Sequence, residues 1–319
     1  MKKEIGGYFE FETYHGTTPH DTALAFNTAR NCLEFLISAK RISEIALPFF
    51  LCDAVKYVCE RQNVITRYYN VNEQLEPILE DITPSAYLYF VNYYGQFDNE
   101  WIRKLKSKHK NLIVDNVQAF FQEPLPETDT IYTCRKFFGV PDGAYLYTDT
   151  YDGYETLEQD ESYERMYHIM GRFERTGSEF YTAYTDCEDS FCKQLPKKMS
   201  KLTSNILRSF NYSYISTVRT ENFSYLQSVF SHINKLDLKI PEGPYMYPLL
   251  VENGAIVRKK LQEEKIFIPI LWPDVFNCSD AAEFEKYLAS NILPIPVDQR
   301  YTVDDMEYIN MLFDKIWRS

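Results

Sequence analysis

Asn111-Leu112-Ile113-Val114-Asp115 is an apolar run closed by a carboxylate, and Asp129-Thr130-Ile131-Tyr132-Thr133 is a second such run, with Lys136 shortly after it. Short runs that are apolar on both sides read as strands of a parallel sheet covered on both faces. Working outward, Ala23 to Phe26, Glu44 to Pro48, Val64 to Tyr69, Ala86 to Val91 and Gly143 to Tyr147 read the same way. Helical patterns lie between them at Thr28 to Lys40, Cys52 to Gln62 and Asn99 to His109. Strands alternating with helices make this part of the chain α/β.

The pattern changes after Thr148. Tyr151 to Glu164 is rich in Asp, Glu and Tyr without strand alternation, and helical spacing dominates from Lys197 to Lys235. A smaller α/β unit closes the chain, with strands expected at Tyr245 to Val251, Ile266 to Leu271 and Ile292 to Val297. Its helices are expected at Ala255 to Glu264, Asp280 to Ser290 and Val303 to Trp317. We divide the chain into a large α/β domain with an N-terminal arm and helical extension over residues 1–190, and a helical linker with a small C-terminal α/β domain over residues 191–319.

Composition excludes several functions. The 319 residues carry a net charge of −12, which disfavours nucleic acid, because a nucleic-acid binder needs a basic face to displace counterions. No apolar stretch approaches the roughly 18 residues of a membrane span, and Glu4 and the Phe9-Glu10-Phe11-Glu12 alternation stand where a signal peptide would be apolar. Seven cysteines without a C-x-x-C pair suggest neither zinc nor a disulfide framework. A cytoplasmic protein is expected. The 26 Tyr and 22 Phe call for a large aromatic core or a buried subunit interface.

In an open parallel sheet, ligands sit beyond the carboxyl ends of the strands. Asp115 occupies such an end, where a carboxylate either pairs with a cationic ring atom or metal or caps the following segment. Lys136, beside Phe137 and Phe138, is either a desolvated amine suited to imine formation or a surface lysine lying over two aromatics. Asn27-Thr28-Ala29-Arg30 opens the first helix, where free backbone N–H groups suit a phosphate and Thr28 suits a cap. A phosphate cradle, a strand-end carboxylate and an amine after a later strand are together the parts that hold pyridoxal phosphate.

Val114-Asp115-Asn116-Val117-Gln118-Ala119 resembles the E-D-x-x-[HQ]-A motif of the DegT/DnrJ/StrS-type sugar aminotransferases, which are fold type I pyridoxal phosphate enzymes. Lys136 to Gly143 is similar to their K-N-x-x-x-x-x-G stretch, Val91-Asn92-Tyr93-Tyr94-Gly95 to their V-H-x-Y-G loop, and Asn27 to Leu33 to their phosphate-binding turn. Ile292-Leu293-Pro294-Ile295-Pro296 and the helix from Val303 resemble the family's closing strand and helix, so the likeness runs from about Gly7 to Trp317. The resemblance implies that Lys136 carries the cofactor and moves protons, that Asp115 pairs with the pyridine nitrogen, and that Gln118 faces the phenolic oxygen. It places Thr133 and the backbone of Thr28 and Ala29 at the phosphate. Gly171-Arg172-Phe173-Glu174-Arg175 aligns with a G-x-N-x-R pattern, which makes Arg175 a contribution to the partner subunit's site in a homodimer. The chain departs from the family at Ala29 for Gly, Asn92 for His, Ala144 for Gly and Phe173 for Asn.

The expectation is a fold type I transferase that moves an amino group from an amino acid such as glutamate to a nucleotide-linked keto-sugar. Its rivals are a pyridoxal phosphate enzyme of other substrate, and a non-catalytic binding or regulatory protein that kept the fold. Phe49 and Phe50 are candidates to stack on the cofactor ring. Trp272 reads as a packed aromatic, the five histidines as loop or surface residues without metal-ligand spacing, and Asp160-Glu161 as a solvated acidic run. Lys197, Lys198 and Lys201 either meet a nucleotide phosphate or line an exposed helix face.

Overall fold

The first helix shows how local sequence sets the architecture. In the computed structural model, which describes residues 5–317, β1 (Leu24–Phe26) leads into α1 (Ala29–Lys40). Thr28 starts the helix by accepting from Asn31 N–H, and Arg41, in the left-handed region, ends it by donating to the Ile37 and Ser38 carbonyls. Cys32, Leu33, Phe35, Leu36 and Ile37 are all buried, so α1 lies inside the protein rather than on its surface.

There follow β2 (Glu44–Pro48), α2 (Asp53–Arg61), β3 (Ile65–Tyr69), β4 (Tyr87–Val91), α3 (Asn99–Lys108), β5 (Leu112–Asp115), β6 (Asp129–Thr133) and β7 (Ala144–Tyr147). The seven strands form one sheet in the order β1-β7-β6-β5-β4-β2-β3. Only β7 runs against its neighbours, β1 and β6; the other pairings are parallel. Long connections let parallel strands pair, and the shorter excursion through residues 134–143 returns β7 antiparallel to β6. The carboxyl ends of β4, β5 and β6 therefore open side by side, with Val91 opposite Asp115 and Asp115 opposite Ile131.

After β7 come α4 (Tyr167–Glu174) and α5 (Tyr181–Ser190), then α6 (Lys201–Leu207) and α7 (Tyr212–Phe230). The second unit pairs β8 (Met246–Leu250) with β9 (Ile292–Pro296) antiparallel, and adds α8 (Gly254–Glu263), α9 (Glu283–Asn291) and α10 (Val303–Trp317). α10 packs on α7 and α8. This is the expected mostly parallel large sheet with a smaller C-terminal α/β unit. Glu285 of α9 joins the two: it is fully buried, one carboxylate oxygen accepts from Val71 N–H at 2.9 Å, and the other has no hydrogen-bond partner among the described residues.

Three expectations are corrected. Ile266 to Leu271 forms no strand: Pro269 removes a ladder donor, Lys265 and Trp272 on either side adopt positive φ, and Phe267 and Ile270 face solvent. Asp160 is buried and ion-paired with Arg165 at 2.6 Å instead of solvated. His20 lies in a loop but is buried among aromatics, with its ring 4.2 Å from that of Tyr132 and its Nε2 2.9 Å from the Phe120 carbonyl; burial lowers its pKa to about 4.

The aromatic residues divide between interior and surface. Phe120, Tyr132, Phe137, Phe138 and Tyr145 pack together under the loop that carries Lys136, whereas Tyr163, Tyr167, Phe173 and Tyr181 are exposed, Phe173 at 92%. No described helix is long and apolar enough to cross a membrane. The basic start, Met1 to Lys3, lies outside the described residues.

Candidate active site

The parallel register puts Asp115 at the centre of the sheet's carboxyl edge. Its side chain is 4% exposed; Oδ2 accepts from the Tyr89 hydroxyl at 2.7 Å and Oδ1 from Val117 N–H at 2.9 Å. Burial pushes this carboxyl above the ordinary carboxylate range, against the pull of the Lys136 charge and of those two donors. The Val117 bond means that Asp115 also serves the turn after β5. Each carboxylate oxygen retains room for another donor.

Lys136 stands on the excursion between β6 and β7. Phe137 and Phe138 donate their N–H groups to the Cys134 carbonyl, which closes a turn that presents the lysine while both phenyl rings are buried. Solvent reaches Lys136, but the protein packed around it strips enough water to push the ammonium below the ordinary lysine value. Asp115 opposes that shift, so each group of the pair acts on the other. The Tyr245 ring centre is 5.6 Å from Lys136 Nζ. Cys52, an exposed thiol at the N-cap of α2, also acts on the charge of Lys136.

The excursion is fixed at both ends. Gly143 has φ +118°, donates to the Asn27 carbonyl at 2.6 Å, and has the Thr203 and Cys134 side chains 3.0–3.2 Å from where a Cβ would stand. Asp142 is fully buried and accepts from Ser200 N–H, Ser200 Oγ and Thr203 Oγ1, tying the excursion to α6. From the small unit, Arg219 donates to the Phe137 carbonyl at 3.1 Å and Gln299 to the same oxygen at 2.8 Å. Arg219 is 1% exposed, and its guanidinium lies 4.7 Å from the Phe137 ring centre. Burial lowers its pKa to about 10. Nothing in the sequence distinguishes this arginine, because its role depends on α7 folding back onto a loop far away in the chain.

The phosphate turn is used in two ways. Thr28 N–H donates to Asn27 Oδ1 at 3.0 Å and Thr28 Oγ1 accepts from Asn31 N–H, so Thr28 acts as a cap. Ala29 and Arg30, in the first turn of α1, keep backbone N–H groups with no acceptor among the described residues. Thr133 Oγ1 likewise has no hydrogen-bond partner among them. Gln118 Oε1 accepts from Tyr94 N–H at 2.7 Å, and its Nε2 has no hydrogen-bond partner among the described residues.

Asn92 is fully buried and structural: it bridges Phe97, Asn116 and Gln122. Phe49 stacks on Tyr68, and Phe50 packs against Tyr93 at a tilt and against Trp272 edge-on, so both rings pack on protein aromatics. Trp272 is half-buried against Phe50, Tyr93 and Tyr94. Arg175 lies at the exposed end of α4, ion-paired with Glu179 and with no bond to Asp115, Lys136 or Gln118 of its own chain among the described residues.

No family model and no curated protein matches the sequence. Solved structures match its fold over nearly the whole chain. NtdA from Bacillus subtilis, solved with bound cofactor PMP, is 16% identical with a TM-score of 0.67, covering 93% of this chain and 73% of its own. The sugar aminotransferase CalS13 from Micromonospora echinospora is 13% identical with a TM-score of 0.65, covering 93% and 88%. A DegT DnrJ EryC1 StrS aminotransferase from Brucella abortus is 11% identical with a TM-score of 0.60, covering 92% and 85%. At these identities the likeness establishes the fold, which this chain shares with sugar aminotransferases of fold type I.

Proposed function

We propose that this chain is a pyridoxal-phosphate-dependent aminotransferase that takes an amino group from an amino acid such as glutamate and delivers it to a keto-sugar carried on a nucleotide. The observation that carries the reading is the placement, at the carboxyl edge of the sheet, of a buried carboxyl, Asp115, at the end of β5 and of Lys136 just beyond the end of the adjacent parallel strand β6. The charges of the two act on each other, in the direction that lowers the basicity of Lys136 less and raises Asp115 less than burial alone would. The fold likeness to NtdA, solved with PMP, supports the same cofactor here.

The unengaged groups fit that cofactor. The N–H groups of Ala29 and Arg30 and the hydroxyl of Thr133 would hold its phosphate, with Thr28 acting through the helix start that it caps. Gln118 Nε2 would donate to the phenolic oxygen, and Asp115 would keep a proton on the ring nitrogen. When bound, the cofactor supplies an electron sink for negative charge at the substrate's α-carbon. Lys136 Nζ would hold the cofactor and, released from it, carry the proton taken from that carbon. Its lowered basicity favours the neutral amine that this role needs. Arg219 and Gln299 would keep the Phe137 carbonyl, and with it Lys136, in place.

The exposed aromatics Tyr163, Tyr167, Phe173 and Tyr181, on the segment that also carries Arg175, support a homodimer in which Arg175 reaches the partner's site. Incubation with pyridoxal phosphate, glutamate and a panel of nucleotide keto-sugars, followed by mass detection, tests the activity. An aminated sugar nucleotide with matching 2-oxoglutarate is expected; unchanged glutamate and sugars across the panel would count against it.

A further inference from the structure

The Asp115 carboxylate has two hydrogen-bond donors of different kinds. Val117 N–H, 2.9 Å from Oδ1, belongs to the turn after β5 and serves that turn. The Tyr89 hydroxyl, 2.7 Å from Oδ2, comes from the neighbouring strand β4 and serves no turn or helix start. The parallel register explains its reach. Tyr89 stands opposite Ile113 and Val91 opposite Asp115, so Tyr89 and Asp115 are diagonal neighbours on one face of the sheet. Both side chains are buried, which closes the bond to water.

The phenol is also held from behind. The ladder between β2 and β4 ends at Leu88, and beyond it the Tyr69 hydroxyl, reaching across β2 from β3, donates to the Tyr89 carbonyl at 2.8 Å. Lys136, Tyr69, Tyr89 and Tyr93 are the titratable groups on which the Asp115 charge acts. Tyr69 spends its hydroxyl on Tyr89, and Tyr93 donates to the Phe50 carbonyl at 2.6 Å. Tyr89 is therefore the one side chain among the described residues that donates to Asp115. Burial and the Asp115 charge push its phenol far up, so it remains a donor at neutral pH.

We propose that Tyr89 is a positioning residue for the reaction, its hydroxyl fixing the rotation of the Asp115 carboxylate and favouring its charged form. A neutral carboxyl would not keep a proton on a ring nitrogen, whereas a carboxylate that accepts a charge-assisted hydrogen bond resists the neutralising effect of burial. The role rests on the assignment of Asp115 to the cofactor ring made above.

Tyr89→Phe removes one oxygen and keeps the ring. In the full chain without cofactor, the carboxyl-carbon resonance that is missing from Asp115→Asn reports the Asp115 midpoint. In Tyr89→Phe that midpoint is expected to rise by about one pH unit, the size of one hydrogen bond to a charged group. An ortho-fluorinated tyrosine at position 89, a stronger donor of nearly the same volume, is expected to lower it, an opposite sign that loss of packing does not produce. In the loaded enzyme, Tyr89→Phe should slow the half-reaction with glutamate by about tenfold, through kcat rather than KM, and move the acid limb of its pH profile upward. In the Asp115→Asn background the same change should have no further effect. An unmoved Asp115 midpoint, or full slowing in the Asp115→Asn background, would overturn the role of Tyr89 alone. A normal half-reaction in Asp115→Asn would overturn the cofactor reading itself, and the role with it.

Discussion

Asp115 and Lys136 oppose each other's shifts, and this makes signed predictions at the level of single side chains. Removing the negative charge in Asp115→Asn takes away the group that holds the Lys136 ammonium up, so the pKa of Lys136 should fall further. In the cofactor-free protein, the pH midpoint for modification of Lys136 by an amine-reactive aldehyde should therefore move down in the variant; an upward move would contradict the pairing. The same variant should still bind the cofactor through the phosphate contacts and Lys136. Its half-reaction with the amino donor should slow by about a thousandfold or more, on the order of 4 kcal/mol, in stopped-flow absorbance. Near-normal turnover would reduce Asp115 to its turn-forming bond with Val117. Both residues were legible because a strand-end carboxylate and a lysine beside two phenylalanines are local patterns. Thr28 was legible as a cap, and its side chain accepts from Asn31 N–H while its own N–H goes to Asn27 Oδ1. Arg219 was not legible, since its meaning lies entirely in a contact with Phe137 across the fold.

At the level of elements, the excursion from β6 to β7 depends on Gly143, where a φ of +118° and tight neighbours would strain any side chain. Gly143→Ala should cost about 1–3 kcal/mol in denaturant unfolding and loosen Lys136; an unchanged midpoint would show that the loop adapts. The contact between α9 and the chain after β3 turns on Glu285, whose pKa burial raises from 4.5 to about 7. The native state thus holds a proton that the unfolded chain has released. The stability this gives is full below about pH 4.5 and is lost as pH rises through about 7. Glu285→Gln, which stays neutral, should gain melting temperature over the wild type at pH 8 and lose that gain at pH 5; a pH-independent difference would contradict this. The inner strands β2, β4, β5, β6 and β7 could be read from apolar runs because both faces of the sheet are covered there, whereas the edge strand β3 is largely exposed. Ile266 to Leu271 has the same composition, but its two ends turn through positive φ and no strand is beside it, so composition misled there. Asp160 pairs with nearby Arg165, but its burial follows from the pairing of its N–H with the Lys198 carbonyl, as that of His20 follows from Tyr132, and a linear reading has no access to contacts so far apart in sequence.

At the scale of the whole molecule, four of the exposed aromatics, Tyr163, Tyr167, Phe173 and Tyr181, lie on the segment that also carries Arg175. Sedimentation should report twice the chain mass, and Phe173→Asp should shift the protein toward the monomer, whereas an active monomer at micromolar concentration would contradict a shared site. Mixing inactive Lys136→Ala with an impaired Arg175→Ala should recover activity, because some heterodimers contain one site with both wild-type residues. Full activity of Arg175→Ala would remove that residue from the site. The central claim is that the folded chain holds one pyridoxal phosphate on Lys136, and the most direct measurement is borohydride reduction of the cofactor-loaded protein followed by intact mass and peptide mapping. One reduced cofactor per chain, on the peptide containing Lys136 and absent from Lys136→Ala, is the expected result; a label on another lysine, or none, would contradict the account.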